Sequence, residues 1–467
     1  MQALTGSKNG SFRAALPEPG AIGRGPTGRI ETIVVAALLL AYAIVEFVLT
    51  LGHGPWLDEA QAWLQATTLS GPLDALILPG EGHPPLWYWL LRLLSLGLDF
   101  NQARWVTLPI AIANAYLLAR LLRGQVLPLA MMLFSFPLLQ FWGYHFRPYG
   151  IVLACMTGAM LLDRANRPAA GTWLLALACG FHFFAGFLFA FWLVWQWQKG
   201  TRINMLAGPA VLALVFGALA LISGLGNQSV GVAEGGLAEA IVRNLAWIGM
   251  VDALRTPITA LATLALLVFA LRRTPLILAT LLALIALFSV ATAAVYGKYL
   301  WHAAFMTMLC FMAFALTGFE KRKDLLFALL MTPQVVFGLV AVHHRLTNPA
   351  WQQPDLYAVI ARDAGEAFSP EKRLVAWPDL AGVTMAAEHN VWLINGNGGQ
   401  ALGPVQWRTR QEERIDPVLR DLPVPYWLVC GDCRPVLGFL DQNGRSAHFL
   451  ADAQNVDNGH FYAFRIE

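Results

Sequence analysis

Charge is what this chain has least of. Only 13% of its 467 residues are Asp, Glu, Lys or Arg, while 57% are hydrophobic and the mean hydropathy is +0.54. Soluble domains carry roughly 25% charged residues, so the composition excludes an ordinary soluble enzyme and points to a polytopic membrane protein. A net charge of +3 implies no nucleic-acid partner. Cysteine is sparse: Cys155, Cys179 and Cys310 fall in apolar runs, and Cys430-Gly-Asp-Cys433 stands without a second pair. A zinc site usually needs four ligands, so the pair reads as a local disulfide if its region faces an oxidising space. No apolar signal-peptide core precedes Arg29, and Met1–Arg29 reads as a disordered, loosely basic cytosolic tail. Internal repeats and a nucleotide-binding glycine loop are also missing.

Long apolar runs are abundant. A membrane-crossing helix takes about 17–25 of them. Runs near 30–51, 104–122, 126–142, 148–163, 170–181, 184–197, 204–223, 257–271, 275–295, 299–318 and 325–342 predict about eleven crossings within a domain of residues 30–342. The pair 170–181 and 184–197 could be one long helix; it is split at Gly180-Phe-His182 because parity requires two crossings. With the N-terminus inside, Arg120/Arg123, Arg164/Arg167, Lys199/Arg202, Arg272/Arg273 and Lys321/Arg322/Lys323 all fall on the inner side, as the positive-inside rule demands. Asp58, Glu59, His83, His145, Arg147, His182 and Lys298 then fall outside.

Leu86–Leu98 is apolar but spans only ~20 Å as a helix against a ~30 Å core. It is read as a helix lying along the outer interface, started by Pro84-Pro85 and anchored by Trp87, Tyr88 and Trp89. From 343 to 467 polar residues run throughout. β-like runs at Arg373–Trp377, Val391–Ile394, Tyr426–Cys430 and Phe461–Ile466, with helical stretches near 354–368 and 432–442, predict a small α/β domain of about 120 residues. Eleven crossings place it outside.

The chemistry-bearing residues gather at the outer ends. Gly52-His-Gly-Pro-Trp-Leu-Asp-Glu-Ala-Gln-Ala-Trp63 follows the first run directly. A carboxylate held there could take a proton from an attacking hydroxyl. On a helix starting near Leu57, Asp58 and Glu59 point about 100° apart, so Asp58 is assigned as the base and Glu59 as its orienting partner in the catalytic pair. Acidic first turns also occur in ordinary amphipathic helices. His83, stiffened by two prolines, is a candidate for phosphate or acceptor binding, or a packing histidine. His145 and Arg147 form an anion-facing elbow before Pro148, although an interfacial arginine can simply snorkel. Lys298, Tyr299 and His302 open a late run, with Lys298 and His302 on one helix face. His182 sits at an outer hairpin tip. Glu46, inside the first run with Tyr42 one turn below, is costly there and reads as bonded to a neighbour, not catalytic.

Taken together, Asp-Glu-Ala beyond the first run, His83-Pro-Pro-Leu, Arg147-Pro-Tyr and Lys298-Tyr resemble the GT-C glycosyltransferases, in the branch of the protein O-mannosyltransferases and aminoarabinose transferases. The resemblance covers roughly residues 30–320. With the apolar runs, this gives an all-α polytopic membrane bundle of about eleven transmembrane helices, GT-C-like, with the small C-terminal α/β domain (343–467) placed outside by the crossing count; the resemblance implies action at the outer face, in a bacterial inner membrane with the site facing the periplasm. It implies an inverting transfer of a monosaccharide from a polyprenyl-phosphate donor to a hydroxyl of a lipid-linked glycan, lipopolysaccharide or protein acceptor. Asp58 matches the family's base; His83 stands where relatives of the aminoarabinose branch carry lysine; Lys298 matches a basic residue before Tyr. Arg147 occupies a position where some members have an acid, which argues against a second carboxylate and against a metal, so no cofactor is expected. Two alternatives stand beside it. An O-antigen ligase or polymerase would use a large basic outer loop, whereas loop 224–256 has only Arg243 and Arg255. A lipid-linked-sugar flippase would need polar groups at mid-membrane.

Overall fold

In a computed structural model, residues 28–78, 82–225, 236–249, 256–293, 300–378, 380–396, 415, 417–455 and 459–467 are described. Helices occupy each apolar run: α1 (Arg29–Gly52), α2 (Leu57–Thr68), α3 (Pro85–Leu94), α4 (Phe100–Arg104), α5 (Thr107–Leu121), α6 (Val126–Leu133), α7 (Tyr149–Arg164), α8 (Pro168–Phe181), α9 (Ala185–Gln198), α10 (Ile203–Gly224), α11 (Gly236–Gly249), α12 (Pro257–Leu271), α13 (Pro275–Ala291), α14 (Leu300–Thr317) and α15 (Lys321–Thr347). Three of these helical runs are long and apolar enough to cross a membrane on those grounds alone: Arg29–Gly52, Ile203–Gly224 and the one that starts at Lys321. The run 170–197 is two helices that meet at His182.

The run 126–142 is not one helix. α6 ends at Leu133, Ser135 Oγ turns back to the Met132 carbonyl at 2.8 Å, and a π-type turn covers Leu138–Trp142. Pro137 has no N–H to continue an α-helical ladder, and its ring crowds the carbonyl four residues back. The break accommodates α15: a Cβ on Gly338 would stand 2.8 Å from the Phe134 carbonyl oxygen. Segment 224–256, read as a loop, holds α11, which packs against α12, α13, α14 and α15.

α3 starts at Pro85 and buries Pro85, Trp87, Tyr88 and Leu91 along one stripe, leaving Leu93 exposed. Arg92 reaches the carbonyls of Ala66 and Leu69 at the end of α2, where unpaired carbonyls favour a cation.

Beyond α15 the chain adds α16 (Leu356–Ala364), α17 (Pro370–Arg373), β1 (Leu374–Trp377), α18 (Leu380–His389), β2 (Ile394–Asn395), α19 (Val418–Asp421), β3 (Tyr426–Cys430), α20 (Arg434–Gln442), β4 (Ala447–Asn455) and β5 (Gly459–Ile466). The sheet order is β2-β1-β3-β5-β4. β1 runs parallel to β2 and β3, and β5 pairs antiparallel with β3 and β4. The run Val391–Ile394 contributes only its last residue to a strand. β1 and β3 are buried on both faces, so their side chains divide by alternation. Val375, Trp377, Tyr426, Leu428 and Cys430 enter a core with α20. Leu374, Ala376, Trp427 and Val429 enter a second core shared with Trp63 of α2, Trp87 and Leu91 of α3, and Phe100 of α4. The small domain is thereby seated on the short helices at one end of the bundle. Cys430 and Cys433 form a disulfide, with Cα atoms 5.3 Å apart.

Glu46 is fully buried, and its carboxylate lies where a Cβ on Gly143 would be, 2.2 Å from Oε2. Gly143→Ala is therefore expected to lower stability by about 1–3 kcal/mol through overpacking. Adding Glu46→Ala should restore part of that loss. Thermal unfolding of the two single variants and the double variant in detergent measures the coupling. Additive effects would mean the two residues do not press on each other.

Candidate active site at one end of the bundle

Glu59 organises the site. It is the third residue of α2, fully buried, and both its oxygens are engaged. Oε1 accepts from the Phe146 backbone N–H at 2.7 Å, and Oε2 from the Trp56 N–H at 3.2 Å. His53 Nε2 lies 2.9 and 3.1 Å from the two oxygens, and Arg104 Nε is 3.7 Å from Oε2. Burial pushes the Glu59 carboxyl up, but His53, Arg104 and His145 outweigh it and hold it at about 2. Arg104 also donates to the His53 carbonyl at 2.5 Å, so the turn between α1 and α2 is gripped from both sides. This geometry makes Glu59 an orienting group. With both oxygens bonded to protein, it is not placed to touch a substrate.

Asp58 precedes it, half-buried in the first turn of α2. Its charge reaches Tyr149 at the start of α7. Arg147 stands over it: Nη1 donates to the Asp58 carbonyl at 2.9 Å, Nη2 lies 3.1 Å from His83 Nε2, and the guanidinium carbon is 5.9 Å from the centre of the Trp56 ring. Because Arg147 can only donate, His83 Nε2 is the acceptor in this pair.

The remaining histidines complete the cluster. The His145 ring stacks on His53 at 4.8 Å and meets Trp56 at 4.9 Å, and Trp56 meets Trp301 at the same distance. His182 lies between His83 and His302, with ring centres 5.6 and 5.8 Å away. Its Nδ1 accepts from the Phe184 N–H at 3.2 Å, which leaves Nε2 to carry the proton of the neutral ring. Thus Asp58, Glu59, His83, His145, Arg147, His182 and His302, drawn from five separate stretches of sequence, meet at one end of the bundle. Lys298 and Tyr299 lie outside the described residues.

Sequence reasoning missed His53, Arg104, Trp56 and Trp301. His53 and Trp56 stand in the Asp-Glu motif itself, and Arg104 heads an apolar run. A buried carboxylate's need for cationic partners was the available signal. Among the described residues, no three His, Cys, Asp or Glu side chains converge to hold a metal ion.

A cavity of about 440 Å³ opens between the ends of α1 and α15 and the small domain. Of the cluster's side chains it borders only His53; Arg345, Asp355, Tyr357, Glu388 and His389 are among its polar lining. His389 lies 3.4 Å from Asp355 and stacks on Tyr357 at 4.3 Å. Its hydrogen bond to Asp355 lowers the Asp355 carboxyl and, against burial, raises the imidazole.

A carboxyl held at about 2 in the fold, against about 4.5 unperturbed, contributes stability above pH 4.5 that is lost as pH falls toward 2. Its full extent is about 3 kcal/mol. Glu59→Gln should lower the melting temperature at pH 7, and the gap to wild type should narrow as pH falls below 4.5 and close near pH 2. A gap independent of pH would show that the Glu59 charge does not hold the site together.

No family model, curated protein or solved structure matches this chain.

Proposed function

We propose that this protein is an inverting glycosyltransferase of the GT-C kind, moving a monosaccharide from a polyprenyl-phosphate donor to an acceptor hydroxyl at the outer membrane face. The observation that carries the reading is the single cluster of Asp58, Arg147, His83, His182 and His302 at one end of the helical bundle. The basic doublets belong to the other end. There Lys199 pairs with Asp163 at 2.8 Å, Arg164 reaches the Leu121 carbonyl, and Lys323 donates to the Thr317 carbonyl at 3.0 Å. A bundle with basic residues at one end and a carboxylate among cations at the other suits a bilayer enzyme with an inner and an outer face. In this reading the shorter helices also cross, giving about eleven spans in a bacterial inner membrane.

Asp58 takes the proton of the acceptor hydroxyl as its oxygen attacks the anomeric carbon. The bond from that carbon to the phosphate oxygen breaks on the opposite side, and the electron pair leaves with the lipid phosphate. One displacement inverts the anomeric centre. Arg147, backed by His83, faces the charge that grows on the phosphate, so it stabilises the transition state more than the bound donor. Glu59 fixes the backbone on which Asp58 and Arg147 are carried.

Asp58→Asn should reduce transfer from a polyprenyl-phosphate sugar by about 10²–10⁴-fold while leaving the melting temperature within a few degrees of wild type. Transfer of radiolabelled sugar by purified protein in nanodiscs is the assay. Wild-type turnover in this variant would remove Asp58 as the base. Absence of transfer by wild type from every polyprenyl-phosphate sugar tried would sink the donor class.

Orientation is testable separately. In a background lacking Cys155, Cys179 and Cys310, Asp441→Cys is expected to react with an impermeant maleimide in intact cells, and Arg123→Cys only after lysis. The reverse pattern would put the cluster on the inner face.

A further inference from the structure

Arg243 is used by none of this chemistry. It lies on α11 and is only 8% exposed, yet neither terminal guanidinium nitrogen has a hydrogen-bond partner among the described residues. Glu239, one turn earlier, is exposed and offers charge at a distance. An unpaired buried guanidinium is costly, and intramembrane arginines ordinarily pair with an acid or a carbonyl. Elsewhere this chain follows that rule: Arg92, Arg104, Arg147 and Arg164 all reach carbonyl oxygens.

The position of Arg243 is nonetheless fixed. The adjacent Asn244 donates to Ser289 Oγ at 3.0 Å and to Thr292 Oγ1 at 3.1 Å. Gln334 donates to the carbonyls of Trp247 and Ile248, and Trp247 is buried with Ala303, Phe136 and Phe337 around it. Polar side chains at the end of α13 and in the middle of α15 thus hold α11 by its side chain and its backbone. Ser289 and Gln334 stand roughly 20 Å along α13 and α15 from their basic ends, at 1.5 Å per residue. In a hydrocarbon core of ~30 Å, that places α11 in the outer third, near the headgroup level.

We infer that Arg243 is the anchor for the phosphate of a membrane lipid. A guanidinium fork matches phosphate oxygens in pairs, and a lipid phosphate is the anion found at this depth. The inference does not depend on the transfer reaction.

The test is thermal unfolding and binding with full-length protein in detergent. The probes are dodecyl phosphate, phosphatidylglycerol and inorganic phosphate, used with wild type, Arg243→Met and Arg243→Lys. Arg243→Met deletes an unpaired buried charge, so without ligand it should melt at or above the wild-type temperature. Wild type should be stabilised by a lipid phosphate, and Arg243→Met should bind that lipid on the order of 10–100-fold more weakly. Arg243→Lys should fall between, because charge survives and the fork does not. A response to dodecyl phosphate alone assigns a phosphomonoester; a response to phosphatidylglycerol assigns a structural phospholipid. Three results would overturn the inference: stabilisation by inorganic phosphate only, equal lipid binding in wild type and Arg243→Met, or a large fall in the ligand-free melting temperature of Arg243→Met. Transfer-inactive Asp58→Asn should still show the lipid response. Loss of transfer with binding intact separates the two readings.

Discussion

One buried carboxylate ties the functional end of this protein together. Glu59 joins the turn after α1 through His53, the start of α2 through the Trp56 N–H, the elbow before α7 through the Phe146 N–H, and α4 through Arg104. Four segments meet on two oxygen atoms. Removing such a group leaves cations and amides buried without partners, which costs more than the pair itself contributes. Asp58 and Arg147 are the immediate neighbours of bonded residues, so their separation is set by this clamp. The two adjacent acids therefore differ: Glu59 is fully buried in the clamp, and Asp58 is half-buried beside it.

The second constraint is the polarity of the bundle. Its interior is largely apolar, and several of the polar groups it does contain are answered locally. Asp163 takes Lys199 and Gln196, and Asn114 donates to the Gly150 carbonyl at 2.8 Å. Chemistry-bearing side chains collect where helices end, because only there do backbone irregularity and water access coexist with fixed positions. The π-type turn at Leu138–Trp142 and the break at His182 are such ends. They deliver His145, Arg147 and His182 to the same place from different helices. The small domain then covers this end through a hydrophobic core shared with α2, α3 and α4, leaving the 440 Å³ cavity at the seam.

Much of this was legible in the chain. Apolar runs bounded by Pro, Arg and Lys located the helices, because their periods and stops are local properties. Pro84-Pro85 marked the start of α3, and the short apolar runs at 374–377 and 426–430 marked the central strands. β4 went unseen: Ala447–Asn455 carries Ala, Asp, Gln and Asn, weak strand formers, and is a strand because β5 pairs with it. α11 was hidden by its mixed composition and is a helix embedded among four others.

For the site, sequence alone determined that an acid pair followed the first apolar run and that histidines and arginines clustered near other run ends, since both are matters of order and composition. Which acid is committed to the buried clamp was a tertiary decision. It rests on the Phe146 N–H, 87 positions beyond Glu59 in the chain, donating to one oxygen at 2.7 Å, and on the Arg104 charge, 45 positions beyond, standing 3.7 Å from the other. Contacts between such distant positions are made by packing, and no local pattern encodes them.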